Sequence, residues 1–404
     1  MASNLVGVIA GVDTHADTHH AALVTSTGRQ LADCEFPATP DGYLALLDFI
    51  TSHGPLQRVG IEGTSSYGAG LARVLIAADI EVSEVIRPVR AVRRRGKTDA
   101  IDAYAAAALV LSAQHLPIPK QAGGDVDAIR AVLSVRTSAV KAATAAMNQI
   151  HSLLITAPNQ LRETYRALTG NSLIAALAAT GPHSATTSTA ATHLALHRLA
   201  HRYQHLNAEI TAADNELDTL TRRANPTLRS LQGLGPITAA QLLVTAGDNP
   251  HRLTNQAAFA ALCGTSPIPA SSGKTNRYRL NRGGDRQANN ALHCIATTRL
   301  RHDPRTKAWA AQRNIHPGNR KHLLRCLKRA LCREIYRCLT NPQPLPATDD
   351  LRPLRHAYQV TLTHAAQHLG HPASTLSRIE RGIIRNDTLA NQYRNWLNTH
   401  PTAA

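Results

Sequence analysis

The chain has 404 residues, of which 43% are hydrophobic and only 3% aromatic, and its formal net charge is +17. That length accommodates two or three domains, with cores built mostly from Ala, Leu, Val and Ile. A positive excess of this size, carried far more by Arg than by Lys, calls for a polyanionic partner, with nucleic acid foremost.

The start MASNLVGVIAGVD has no basic n-region, and no apolar run reaches the roughly 18 residues of a membrane helix. Neither a signal peptide nor a membrane contact is therefore expected, and the expected compartment is a reducing bacterial cytoplasm. Six cysteines (Cys34, Cys263, Cys294, Cys326, Cys332, Cys338) contain no CxxC pair, which argues against structural zinc. The last three recur every six residues and are read as helix-core thiols.

In chain order, Leu5–Val12, Ala21–Thr25 and Gln30–Phe36 read as a three-stranded meander with a turn at Thr27-Gly28. Helical spacing follows over 41–53, a buried strand over Arg58–Glu62, a helix over Gly68–Ala78, a strand over Val82–Ile86 and an Ala-rich helix over Ile101–Leu111. Strands followed by alternating helices and strands predict an α/β domain over 1–125. Over 126–225 the strand signal vanishes, and Ile129–Leu154 and Thr192–Arg223 read as two long antiparallel helices with an irregular connection. Gly233-Leu234-Gly235, between two apolar helices, reads as a helix-hairpin-helix offering backbone N–H groups to phosphate. Residues 265–286 form a Gly/Ser/Arg-rich segment. From Arg277 to Arg337 the chain is densest in basic residues, among them Arg279, Arg282, Arg286, Arg299, Arg325 and Lys328. Residues 341–350 read as a linker, with a helical unit after it over Leu351–Leu397.

Four acids stand out. Asp13 and Glu62 each end a strand-like apolar run, at a rim where ligands bind. Asp99 and Asp102 begin a helix, three residues apart and so on one face. Four carboxylates brought together repel unless a cation neutralises them. Mg²⁺ takes such hard oxygen ligands, and paired ions about 4 Å apart clamp the oxygens of a phosphoryl transfer.

This ordered set, D…E…DxxD, resembles the DEDD transposases of bacterial insertion sequences, whose N-terminal domain is similar to RuvC, an RNase H-like fold. LQGLGPITAAQLLVTAGD, FAALCGTSPIPASSGK and LNRGGDRQANNALH extend the resemblance to about residue 315. It implies a Mg²⁺ (or Mn²⁺) site at Asp13, Glu62, Asp99 and Asp102, and a serine nucleophile that falls on Ser272, with Ser271 adjacent. Lys274 and Arg282 would hold the scissile phosphate, with Arg277, Arg279 and Arg286 in the same nucleic-acid-binding region. Gly233 and Gly235 belong to that set through the hairpin. It further implies donor and target DNA, a bridge RNA, a dimer or tetramer, and a nucleoid-associated place in the cytoplasm. Asn289 stands where the family often carries Arg.

The expected architecture is thus an RNase H/RuvC-like catalytic domain (1–125), a helical arm (126–225), a mainly helical transposase domain (226–340) and a Cro-like helix-turn-helix (351–398). In the last, Ser374, Thr375 and Arg378 would face a major groove, although Leu362 and His371 depart from the usual pattern. Two other readings compete: a junction nuclease needing the carboxylates but not Ser272, and a non-enzymatic DNA-binding regulator, which leaves the strand-end acids unexplained.

Overall fold

The computed structural model describes residues 7–85, 98–121, 123–181, 184–271, 278–313, 319–344, 347–384 and 386–399. They fall into two units, residues 1–124 with 246–254 and residues 125–245 with 255–404.

The first unit is built on β1 (Val8–Thr14), β2 (Thr18–Thr25), β3 (Gln30–Pro37), β4 (Leu56–Glu62) and β5 (Val82–Val85), in the order β3-β2-β1-β4-β5. The first three form the expected antiparallel meander, and β4 and β5 run parallel to β1 and to each other. Parallel neighbours need crossover connections. Helix α1 (Pro40–Ser52) supplies the first and α2 (Ala69–Ala77) the second. Thr39 starts α1 by accepting the Gly42 N–H, with Pro40 in the first turn.

Every residue of β1 is buried, because both faces of the sheet are covered and the usual alternation is lost. Val8, Ala10 and Val12 pack with Leu46, Ile50, Leu71 and Leu75 of α1 and α2. The intervening residues, Ile9, Gly11 and Asp13, face the other way, where Ile9 joins Ala106, Ala107 and Val110 of α3 (Asp99–Ser112). By the same alternation Val59 and Ile61 of β4 join the first layer, while Gly60 and Glu62 face α3.

In the second unit, α4 (Asp125–Thr156) and α7 (Ser188–Ala224) are the two long antiparallel helices. They are tied by Arg223 to Asp125 at 2.6 Å and by Arg136 to Asp214. Their connection is irregular only in part, where the sequence implied that it was so throughout. It contains α5 (Asn159–Tyr165) and α6 (Gly170–Ala179), whose Leu161, Tyr165, Leu173 and Leu177 pack with Ile150, Leu196 and Ala200. The apolar residues of these helices are too few to show a period. The signal that marks α6 is local: the Ser172 hydroxyl accepts the Thr169 N–H at 3.3 Å.

Further on come α8 (Pro226–Ser230), α9 (Pro236–Ala246), α10 (Gln256–Leu262), β6 (Ile268–Pro269), β7 (Tyr278–Arg279), α11 (Arg286–His302), α12 (Pro304–Gln312) and α13 (Arg320–Thr340). β6 and β7 pair as a small antiparallel ribbon inside the Gly/Ser/Arg-rich segment 265–286, for which the sequence showed no strands. Among the cysteines of α13, Cys332 and Cys338 are buried as expected, whereas Cys326 is only half-buried.

The chain ends in α14 (Leu351–Ala357), α15 (Leu362–Leu369), α16 (Ala373–Glu380) and α17 (Asp387–Thr399), around a core that includes Leu351, Leu376, Ile379, Tyr393 and Leu397. Gly370, at φ 66°, ends α15 in the left-handed conformation. Residues 341–350 are not a free linker at their C-terminal end: Arg394 of α17 donates to Asp350 at 2.9 Å and to the Ala347 carbonyl at 2.7 Å.

Inside this core Arg355 donates to Glu380 at 2.7 Å, and the Tyr393 hydroxyl donates to the same carboxylate at 2.8 Å. Removing the carboxylate would strand a buried guanidinium. Glu380→Ala should therefore destabilise residues 351–399 by about 3–5 kcal/mol. Urea unfolding of a Trp309→Phe background, followed by Trp396 fluorescence, reads this core alone. An unshifted midpoint would show that the buried pair does not support it.

Candidate metal centre and nucleic-acid interface

Two glycine-dependent contacts shape the molecule's chemistry, and the first places the acids. At Gly11 the backbone of α3 lies directly on β1: a Cβ there would meet Ala107 N at 2.2 Å and Ala103 O at 2.3 Å. From that crossing Asp13 lies two residues along β1, about 6.6 Å. Asp99 lies one turn back along α3 from Ala103, about 6 Å. Helix and strand run in opposite directions here, so both steps lead to one place. There, ligand atoms of Asp13, His15 and Asp99 all lie within 4.8 Å of one another. His15 Nε2 is 3.2 Å from Asp13 Oδ2 and 3.4 Å from Asp99 Oδ1.

Glu62 ends the neighbouring parallel strand, one residue beyond the Val12–Ile61 pair, on the same sheet face as Asp13. Its carbonyl accepts the Thr14 hydroxyl at 2.8 Å, locking the two strand ends together. Asp102 is in the first turn of α3 with Asp99. Neither Glu62 nor Asp102 belongs to the tight triplet, which instead includes His15, a residue the sequence reading passed over. Its signal was the alternation in Asp13-Thr14-His15, which puts the acid and the imidazole on one side of the chain.

The donor set fits a divalent cation. Asp13 is 5% exposed, and among the described residues the ionic partner of Asp13 and Asp99 is His15 and no Lys or Arg. Carboxylate oxygens suit hard cations such as Mg²⁺ and Mn²⁺, with the imidazole as a further ligand or an outer partner.

The second centre lies in the other unit. A cavity of about 1150 Å³ opens between β6–β7, the start of α11 and one face of α13. Arg279, Arg282 and Arg286 line one side, Arg313 follows α12, and Lys321, Arg325, Lys328, Arg329 and Arg333 line the α13 side. Among the described lining residues there are thus nine Lys or Arg and no Asp or Glu. Lys328 is half-buried on this wall, and desolvation holds its pKa below the ordinary lysine value. Its ammonium donates to Asn289 Oδ1 at 2.6 Å, and the Asn289 amide donates in turn to the Cys263 carbonyl at 2.8 Å. Asn289 therefore orients a cation in place of being one.

The ribbon at the mouth is clamped at its base. Asp285 N–H donates to the Leu262 carbonyl at 2.6 Å, and Thr245 donates to the Asp285 carboxylate at 2.6 Å. A Cβ on Gly284 would meet Leu262 O at 2.5 Å, so only glycine allows this approach. Ser271 is at the end of the described ribbon and exposed. Ser272, Lys274 and Arg277 lie outside the described residues.

Of the other expected contacts, Gly233 and Gly235 form the turn between α8 and α9, with Gly233 at φ 83°. Its carbonyls are drawn inward: Arg299 donates to Gln232 O at 2.5 Å and Arg229 to Leu234 O at 2.6 Å. The Gly235 N–H donates to Thr238 Oγ1 at 3.1 Å and is thus used within the hairpin. Arg299, part of the basic run in sequence, is buried and paired with Glu334 at 2.7 Å. Ser374 and Arg378 are exposed on α16.

The Asp13–His15–Asp99 cluster beside the end of β1 and a cleft whose charged lining residues, among those described, are all cationic suit work on nucleic acid, and comparison with known proteins says which class. Residues 10–157 match the profile described as DEDD_Tnp_IS110, a transposase, and residues 225–311 match that of the transposase IS116/IS110/IS902 family. The chain belongs to the IS110-family DEDD transposases. It is 23% identical, over 87% of its own length and 98% of the relative's, to the "Mini-circle putative transposase for IS117" of Streptomyces coelicolor. The family's work is transposition of insertion sequences, a recombination of DNA substrates that uses a divalent metal. Among the described residues no helix is long and apolar enough to cross a membrane.

Two outcomes follow from this geometry. Asp13→Ala should weaken Mn²⁺ binding at least about tenfold, read by electron paramagnetic resonance, while leaving the unfolding midpoint near that of the parent. Equal Mn²⁺ affinity in the two proteins would remove Asp13 from the metal site. The other concerns His19, buried beside Tyr43, with Nδ1 donating to Thr18 O at 2.9 Å and Nε2 buried without a partner among the described residues. Burial pushes its pKa below the usual 6.5. The unfolded chain therefore takes up the proton first, and stability present above pH 6.5 should fall as the pH drops below it. His19→Phe should flatten that part of the urea-midpoint profile; a slope unchanged by the substitution would assign it to other groups.

Proposed function

We propose that the chain is the recombinase of an insertion sequence, cutting and rejoining DNA through a phosphoserine ester at Ser272, with Ser271 as the adjacent alternative. The observation that carries this reading is the meeting of Asp13 and Asp99 at the C-terminal end of β1, on the sheet face that Glu62 shares. The strand order, an antiparallel meander extended by two parallel strands, supports an RNase H/RuvC-like assignment for residues 1–125. Residues 126–225 act as an arm and 226–340 carry the serine. Residues 351–398 serve as a helix-turn-helix whose Ser374 and Arg378 contact DNA.

In the cutting step the Ser272 Oγ–phosphorus bond forms as a phosphorus–oxygen bond of the strand breaks. Oγ gives up its proton and the departing oxygen takes one up. The phosphoserine ester conserves the free energy of the phosphodiester bond it replaces, so the reverse attack rejoins DNA without a nucleotide cofactor, in keeping with the absence of a GxxxxGK[ST] loop from the sequence. Mg²⁺ or Mn²⁺ held by Asp13, Glu62, Asp99 and Asp102, with His15 beside them, would neutralise charge on the phosphate and ease deprotonation of the hydroxyl. The cationic cleft, with Arg279, Arg282, Arg286 and Lys328, holds the strand by its backbone, and sequence is supplied by pairing with a bridge RNA. A dimer or larger oligomer brings the carboxylates and the serine from different subunits.

The test is to incubate the protein with element-end DNA, the guide RNA and Mg²⁺, denature, and look for protein-linked DNA. Adduct should form with the parent and be lost in both Ser272→Ala and Asp13→Ala. Mixing the two variants should restore it if the subunits share the work. Adduct persisting in Ser272→Ala, or mapping to Ser271, would reassign the nucleophile.

A further inference from the structure

The ribbon at the mouth of the cleft has a feature that positive charge does not explain. Its register pairs Ile268 with Arg279 and Pro269 with Tyr278. Directly opposed residues share a face and successive residues alternate. Pro269 and Tyr278 therefore lie on one face, and Pro267 and Leu280 continue it. Ile268 and Arg279 take the other, and Arg279 reaches the cavity from that side at its mouth. The stripe is open to solvent, with Tyr278 68% and Leu280 54% exposed. Pro267, Tyr278 and Leu280 line the same cavity as the nine cations.

An apolar strip beside a wall of cations fits a ligand that is both apolar and anionic. A DNA duplex offers phosphates but hides the faces of its bases. An unpaired strand offers both, and aromatic side chains in basic grooves bind such strands by stacking on the bases. A second copy of this chain is a poor occupant, since it would bring a net charge of +17 against the cationic wall. Lys328 is placed for the backbone: among the described residues one ammonium donor is taken, by Asn289 at 2.6 Å, and an ammonium carries two more that suit phosphate oxygens.

Resting on the reading of the chain as a DNA recombinase, we propose that this cleft takes an unpaired stretch of nucleic acid, with a base stacked on Tyr278 and the adjoining phosphate on Lys328. DNA would then be opened, or a base turned out, where it passes the ribbon. Tyr278 would set which strand geometry is accepted, without itself reading sequence.

The experiment uses the full chain with an about 15-nucleotide single-stranded DNA carrying 2-aminopurine, the blunt duplex of the same sequence, and a range of salt. The parent should bind the single strand more tightly than the duplex at equal salt and quench the 2-aminopurine. Tyr278→Ala should lower single-strand affinity about 5- to 150-fold and relieve the quenching, with the salt slope unchanged, and Tyr278→Phe should restore both. Lys328→Gln should instead lower the salt slope by about one. Single-strand affinity unchanged in Tyr278→Ala, or binding confined to duplex, would overturn the inference while leaving the recombinase reading intact. Loss of an oligomer in Tyr278→Ala, with single-strand affinity unchanged, would show that the strip is a protein interface. Salt-independent binding, or none, to either DNA would instead count against the recombinase reading.

Discussion

The metal centre depends on how closely one helix lies on one strand. At Gly11 the backbones of β1 and α3 touch, with no room for even a methyl group. Any side chain there would lift α3 and carry Asp99 away from Asp13. The buried alanines of α3, Ala103, Ala106 and Ala107, are the matching half of that constraint, since larger residues would force the same separation. Alanine also keeps the helix propensity high, so the short residues cost the helix little. The site is thus positioned by absent side chains as much as by present ones.

The second unit solves a different problem, that of gathering like charges. Cations crowded along α11 and α13 repel one another, and the fold offsets this selectively. Arg299 is taken out of the group by burial against Glu334. Arg229 is likewise buried, against Asp218 at 2.5 Å, and desolvation holds its pKa below the ordinary arginine value. The cations facing the cavity have no acid among its described lining residues. Their repulsion is a cost that an anionic ligand relieves on binding, so the electrostatics favour the complex. The clamp at Gly284 and Asp285 matters for the same reason: it holds the ribbon base against that repulsion.

The C-terminal core uses its buried charges for shape. Arg355, Glu380 and Tyr393 connect α14, α16 and α17 through one carboxylate. Such a network contributes little net stability compared with an apolar replacement, but breaking one member is costly. It specifies how these helices meet. In sequence the unit shows only the spacing of α15 and α16, and its Arg and Glu look like surface charges.

Much of the molecule was legible in the sequence because the signals are local. The meander, α1, α2 and the long helices are visible as apolar periods and turn residues. Asp13 and Glu62 stand out because buried parallel strands are apolar throughout, so a terminal acid breaks the pattern. The basic run was plain from composition. The short helices α5 and α6 and the two-residue strands β6 and β7 were missed, since a period needs several turns or alternations to show itself. Which acids converge was beyond the sequence. Asp13 and Asp99 meet with His15, while Glu62 and Asp102 stay outside that triplet, because the distances are set by backbone packing at Gly11 and not by any spacing along the chain. The tertiary structure likewise decided that Arg299 is buried, that Asn289 holds Lys328, and that Tyr278 and Leu280 share one exposed face. Periodicity is written within a few residues, whereas the meeting of distant side chains depends on how closely whole elements can approach.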